Sequence, residues 1–250
     1  MKILDWSSMW RRLDPGYPTN VAIVLWVALG WWLWGWGSGL AIFFAWAIAR
    51  ELDPDRPPAA LLAALLATLW GGYSGGLFLL LLGMRFVNRT PGLPARWLDS
   101  VLLLGLAWTR PNAAWIAASA FFLDAVLEKP LKRHLVFGAL ALVSMAYSDS
   151  LSGAGVSPQL SWGLLLCLSF LSVCLTEAPD SGGDQGGHRL DPSRVLSAQM
   201  LALLCALLSV WCWQATGVYA WWSLWSGIFA VVFWRALSWF WPAGTGSDSA

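Results

Sequence analysis

Apolar positions run along this chain in long continuous stretches, and polar positions gather in short clusters between them. Val21 to Ala49 holds 29 residues without a charge. Ala59 to Val87 repeats that length, and Leu98 to Leu127 spans 30 residues. Four more apolar stretches follow, at about 134–147, 159–176, 193–213 and 218–240. Runs of 18 or more apolar residues are the signature of helices that cross a bilayer, whose hydrocarbon core is about 30 Å thick.

The first three stretches are awkwardly long. A 29-residue helix would reach roughly 43 Å at 1.5 Å per residue. Each has a break near its centre: "WGWGSG" at 34–39, "WGGYSGG" at 70–76 and "TRPN" at 109–112. Each stretch is therefore one strongly tilted helix or a hairpin of two short ones, and length does not choose between them.

Charge placement chooses. With single helices, Lys2, Arg11, Arg12, Arg85, Arg89 and Arg96 lie on one side of the membrane. Arg50, Arg56, Lys129, Lys132, Arg133, Arg189, Arg194 and Arg235 lie on the other, and Arg110 is stranded in the middle. That is six against eight, with a buried charge costing several kcal/mol. With hairpins, the same fourteen residues share one side and only Arg110 faces the other. Fourteen to one is a positive-inside pattern. Arg85 and Arg235 then lie slightly inside their helix ends, from which they are expected to snorkel outward.

The fold expected is thus all-α: a polytopic integral membrane protein of about ten short transmembrane or half-membrane helices, arranged as consecutive helical hairpins. The segments are roughly 19–35, 38–50, 58–70, 75–88, 97–108, 113–128, 132–147, 158–176, 192–213 and 218–240. The short ones imply local bilayer thinning or re-entrant segments shielded by protein. Residues 17–241 form one membrane domain. Residues 1–16 form an amphipathic interfacial segment with Ile3, Trp6, Trp10 and Leu13 at helical spacing, and lack the apolar centre of a cleavable signal peptide. Residues 242–250 form a disordered tail. The first two hairpins, 19–50 and 58–88, align at an offset of 36, matching Trp34, Gly35, Ser38 and Gly39 to Trp70, Gly71, Ser74 and Gly75. Duplication and chance alignment of glycine-rich turns both account for this.

Composition agrees. The chain is 58% hydrophobic and 12% charged, against about 25% charged in soluble domains. Its 21 tryptophans cluster at the expected segment boundaries, as in an interfacial aromatic belt, which explains them without a stacked quinone or carotenoid. Cys167, Cys174, Cys205 and Cys212 lie in apolar segments and read as small buried hydrophobes. His134 and His188 fall at expected loops, with no ligand-spaced cluster around them.

Few residues carry candidate chemistry. In "RELDPDRPP" (50–58), Asp53 and Asp55 with Arg50 and Arg56 could hold a divalent cation and a phosphate. Against this, "LDP" occurs at 13–15, 52–54 and 190–192, and Asp followed by Pro is an ordinary helix start. Arg110 and Asp149 are the only charges on the expected outer side and form a candidate binding pair. Asp99, Asp124 and Glu128 lie near inner helix ends, where they can reach water or pair with Arg96, Lys129 or Lys132. Gly37-Ser38-Gly39 lacks the partners of a nucleophilic serine.

The leading expectation is an integral membrane protein of the bacterial inner membrane with both termini cytoplasmic. It has no evident catalytic motif, no cofactor and no metal site. It serves as an accessory or assembly subunit, with the lipid bilayer and other membrane subunits or its own copies as partners, and no nucleic acid. Two alternatives stand beside it. One is a small transporter or channel built on repeated hairpins. The other is an enzyme acting on a lipid phosphate at the cytoplasmic surface through Asp53 and Asp55.

Overall fold

The computed structural model describes residues 18–70, 74–90, 94–127, 132–145, 158–176 and 189–240. Among them are ten α-helices: α1 (Pro18–Trp34), α2 (Trp36–Leu52), α3 (Pro57–Ala67), α4 (Gly76–Asn88), α5 (Trp97–Thr109), α6 (Ala114–Leu127), α7 (Lys132–Met145), α8 (Pro158–Thr176), α9 (Pro192–Ala220) and α10 (Trp222–Phe240). A 3-10 turn at Pro111–Ala113 leads into α6. No strand occurs among the described residues. The expected segments 1–16 and 242–250 lie outside them.

The first and third long stretches break where a glycine or a proline allows, and the second breaks between Ala67 and Gly76. Gly35 alone separates α1 from α2, at φ 89°, a left-handed conformation that glycine adopts without a Cβ penalty. Gly37 and Gly39, expected in the bend, instead belong to α2. The third stretch breaks at Arg110, before Pro111, whose ring disfavours helix at the residue before it. One expected break is smaller than foreseen. Residues 214–217 continue α9, and only Trp221 separates it from α10. The segment contains no proline, so its backbone bonds are kept by staying helical.

Successive helices alternate in direction. The ends of α2, α4, α6 and α10 and the starts of α7 and α9 meet through side chains at one end of the molecule. This is the ionic end. The starts of α2, α4, α6, α8 and α10 gather at the opposite, tryptophan end. Among the described residues every arginine except Arg110 belongs to the ionic end. At the other, Trp31, Trp32, Trp34, Trp36, Trp70 and Trp108 are exposed.

The helices approach closely because their contact faces are small. Ala59, Ala60, Ala63, Ala64 and Ala67 of α3 are all buried, one turn apart on the face against α2 and α10. Ala198, Ala202 and Ala206 repeat the spacing on α9. Helices that cannot rely on large side chains pack by bringing backbones together in this way. Gly30 of α1 faces Gly39 of α2 at their crossing. Ser223 of α10 donates to the Ala41 carbonyl of α2 over 2.9 Å.

The hairpin arrangement needs one correction. α1 and α2 pack as a hairpin, but α3 takes α2 and α10 as its main partners, and α4 takes α9 and α6. Continuity in sequence sets direction, while complementarity of the alanine faces sets neighbours. Thus 58–88 is not a packed pair like 19–50.

Large apolar side chains cover the outside between the two ends, including Leu25, Leu29, Leu65, Leu165 and Phe233. Two helical segments, Pro192–Trp213 and Trp222–Phe240, are long and apolar enough to cross a membrane.

Gly39 offers a direct check. A Cβ there would sit 3.1 Å from both Trp31 Cβ and the Val27 carbonyl oxygen. Gly39→Leu is expected to destabilise the protein by about 1–3 kcal/mol through overpacking. Gly105→Ala, where a Cβ meets nothing within 4 Å, is expected to leave stability unchanged or raise it slightly. Thermal unfolding in detergent reads both, and equal effects would remove the close-approach account.

Candidate functional site

Two polar regions stand out, one at each end. The ionic end holds four buried acids, Glu51, Asp53, Asp99 and Asp124, of which Glu51, Asp53 and Asp124 are ion-paired with arginines of other helices. A buried carboxylate loses several kcal/mol of hydration unless cations and hydrogen bonds replace the water. Each of the three receives arginine from another helix.

Glu51, in the last turn of α2, meets Arg85 of α4 over 2.9 Å. Asn88 donates to the Glu51 carbonyl over 3.1 Å and to its carboxylate over 3.3 Å. The Thr90 hydroxyl donates to the same carboxylate. Two residues on, Asp53 meets Arg235 of α10 over 2.9 Å and Arg56 over 3.5 Å. Between them the Leu52 carbonyl accepts from Gln199 of α9 over 2.7 Å.

Asp124 of α6 joins four helix ends. Arg194 of α9 approaches it to 2.6 Å and Arg89 to 3.4 Å. His134 Nδ1 of α7 lies 2.8 Å from its other oxygen. Arg133 directs its Nε–H at His134 Nε2 over 3.1 Å. The Ser100 hydroxyl of α5 lies 3.4 Å from Nε2. Arg194 also donates to the Val87 carbonyl over 3.1 Å. The three clusters therefore form one belt, connected through neighbouring residues 51–53 and 87–90 and through α9.

This belt corrects several expectations. Arg85 and Arg235 do not snorkel outward. They are buried and turned inward, because Glu51 and Asp53 offer a stronger partner than the surface. Asp124 is fully buried rather than reaching water. His134 is not in a loop but in the first turn of α7, also fully buried. Asp53 is not a helix start: it follows the last turn of α2, its N–H donating to the Ala49 carbonyl. Asp191 does cap α9, accepting from the Ser193 N–H over 2.9 Å. The 13–15 copy of the motif lies outside the described residues. Asp99 accepts from the Arg96 N–H over 2.8 Å at the start of α5. Cys167, Cys174 and Cys205 are buried, and all four cysteines are free thiols.

The two acids singled out for cation and phosphate part ways. Asp53 faces inward to Arg235, whereas Asp55 lies exposed on the loop to α3. Among the described residues no group of three His, Cys, Asp or Glu side chains converges for a metal ion.

At the tryptophan end a pocket of about 380 Å³ opens around Arg110. Ser74 to Gly76 at the start of α4, Thr109 to Ala113, Trp115, Trp213, Thr216 and Trp221 line it. The starts of α4 and of the turn before α6 meet here with the ends of α5 and α9, so the helix dipoles oppose one another. Arg110 sets the sign of the pocket. Gly75 makes room for it, since a Cβ there would lie 2.8 Å from Arg110 Nε. Among the described residues no carboxylate pairs with Arg110, and its expected partner Asp149 lies outside them. The arrangement suits a small anion with a flat apolar body.

No family model, curated protein or solved structure matches this chain.

The belt makes a sharp expectation. Arg235→Met leaves Asp53 buried with only the part-exposed Arg56, and is expected to cost about 3–5 kcal/mol. The double variant Asp53→Leu, Arg235→Met removes both charges and should lose markedly less. Chemical unfolding in detergent measures both. A double variant as unstable as the single one would show that the pair is not what the buried charges require.

Proposed function

We propose that the chain is a multi-pass integral membrane protein with ten membrane segments and both termini on the cytoplasmic side. In this reading it serves as an accessory or assembly subunit of a larger membrane complex rather than as an enzyme. One observation carries it: the buried acids Glu51, Asp53 and Asp124 of the ionic end are paired with arginines of other helices, and an apolar packed core lies beyond them. Among the described residues these acids serve the pairs and do not converge on an open cavity. What the molecule presents is an apolar outer surface.

Three further features support the membrane placement. The exposed apolar side chains between the ends far exceed what a soluble monomer tolerates. The arginines sort to one end, as the positive-inside rule requires of cytoplasmic loops. Exposed tryptophans crowd the other, as in an interfacial belt. The short helices fit a locally thinned bilayer.

Two measurements test this reading. A cysteine at Ser38, beside the α1–α2 turn, is expected to react with a membrane-impermeant maleimide added outside intact cells. Native electrophoresis of mildly solubilised membranes should place the protein in a particle larger than one chain with its detergent. Ser38→Cys labelled only from inside would overturn the topology. Recovery solely as a monomer that turns over a substrate would overturn the subunit reading.

The Arg110 pocket favours a second reading, a small transporter that takes an anionic solute from the outer face. Here Arg110→Gln, at an exposed residue, should leave unfolding unchanged and weaken benzoate binding about tenfold or more, the scale of one charge-assisted hydrogen bond. Equal affinity of both forms for benzoate would remove Arg110 from any such role.

A further inference from the structure

Arg110 reaches its pocket from a fixed backbone. Its N–H donates to the Ala107 carbonyl over 3.1 Å, and its carbonyl accepts from the Ala113 N–H over 2.9 Å. The side chain rests on Gly75, where a Cβ would lie 2.8 Å from Nε and 3.0 Å from Cζ. The next residue, Gly76, holds Trp221 in the same way. A Cβ on Gly76 would lie 2.8 Å from the Cζ2 and Cη2 atoms of that ring, and 3.4 Å from Ser74 Oγ. Consecutive Cα atoms are only about 3.8 Å apart. Two adjacent glycines thus bring a guanidinium, a hydroxyl and an indole edge together in one pocket.

The other walls say what kind of anion fits. Trp213, 39% exposed, and the half-buried Trp115 add aromatic surface to the lining. At about 380 Å³ the pocket has the size that encloses an organic ligand. A bare inorganic anion would leave its tryptophan walls uncovered. Arg110 is the one cation at this end among the described residues, so it balances a single negative charge. Ser74 Oγ accepts from the Gly76 N–H over 3.3 Å and still has its own proton to donate.

We propose that the pocket selects planar aromatic monocarboxylates. The carboxylate pairs with Arg110 and accepts from the Ser74 hydroxyl, and the ring lies against Trp213, which sets the specificity. Guanidinium groups take carboxylates in a planar fork, and aromatic rings pack favourably on indoles. The inference deepens the anionic-solute reading of Arg110 and rests on it.

The test is equilibrium dialysis of the full chain in detergent against radiolabelled benzoate, acetate and inorganic phosphate, with protein-free micelles as the blank. Saturable binding of one benzoate per chain is expected, with acetate and phosphate at least about tenfold weaker. Benzamide, which has the shape without the charge, should not compete. Trp213→Ala should weaken benzoate about tenfold and leave acetate unchanged, whereas Trp213→Phe, which keeps an aromatic face, should retain most of the affinity. Acetate or phosphate binding as tightly as benzoate, or unchanged benzoate affinity in Trp213→Ala, would overturn the aromatic class and leave Arg110 as an anion site. Competition by benzamide equal to that of benzoate, no binding of any of the three anions, or unchanged affinity for all three in Arg110→Gln would instead overturn the anionic reading beneath it.

Discussion

Buried carboxylates paired with arginines hold one end of this molecule together. Glu51, Asp53 and Asp124 are buried, and none is stable there without an arginine supplied from elsewhere in the chain. Their partners come from α4, α9 and α10, and His134 adds α7. Helix ends that share no covalent turn are thereby fixed to one another. The constraint acts on position as well as energy. Guanidinium groups bind carboxylates through a planar fork with a narrow range of geometries, so the belt specifies which helices meet and at what depth.

The rest of the architecture follows from fixing one end. From the belt, the helices run toward the tryptophan end through faces of alanine and glycine. Small residues let backbones approach, but they do not choose between neighbours as charges do. The apolar middle thus supplies contact area, and the belt supplies register. The opposite end has no such network among the described residues. There the helices are joined by contacts of another kind: the one-residue turn at Gly35, the perpendicular Trp70–Trp222 pair and the cap of Trp222 on Leu66. The Arg110 pocket lies at this end, where packing is set by bulky aromatic side chains that leave gaps between them.

This asymmetry bears on function. Charge in a membrane-embedded protein usually signals a substrate path or proton relay. In this chain the buried acids are paired with arginines of other helices, a structural use. Arg110, at the opposite end, borders an open pocket. A reading of function therefore belongs with the sparsely polar tryptophan end, and the densely charged end reads as the frame.

The sequence by itself determined the helices and their order. Their limits depend on local chemistry: the freedom of Gly35, the proline at 111, and the apolar lengths between them. Sorting of the described arginines to one end was also legible, because alternation of direction follows from the count of breaks. Arg110 was visible as the lone exception. The buried belt was not. Glu51 lies 34 residues from Arg85, and Asp53 lies 182 from Arg235, so no spacing rule joins them. From sequence, an arginine just inside a helix end is equally suited to reach outward to water or inward to an acid. Only tertiary structure decided, because the choice depends on which helix lies alongside. It likewise separated Asp53 from Asp55. Burial and missing partners are properties of neighbours in space, which a linear pattern does not carry.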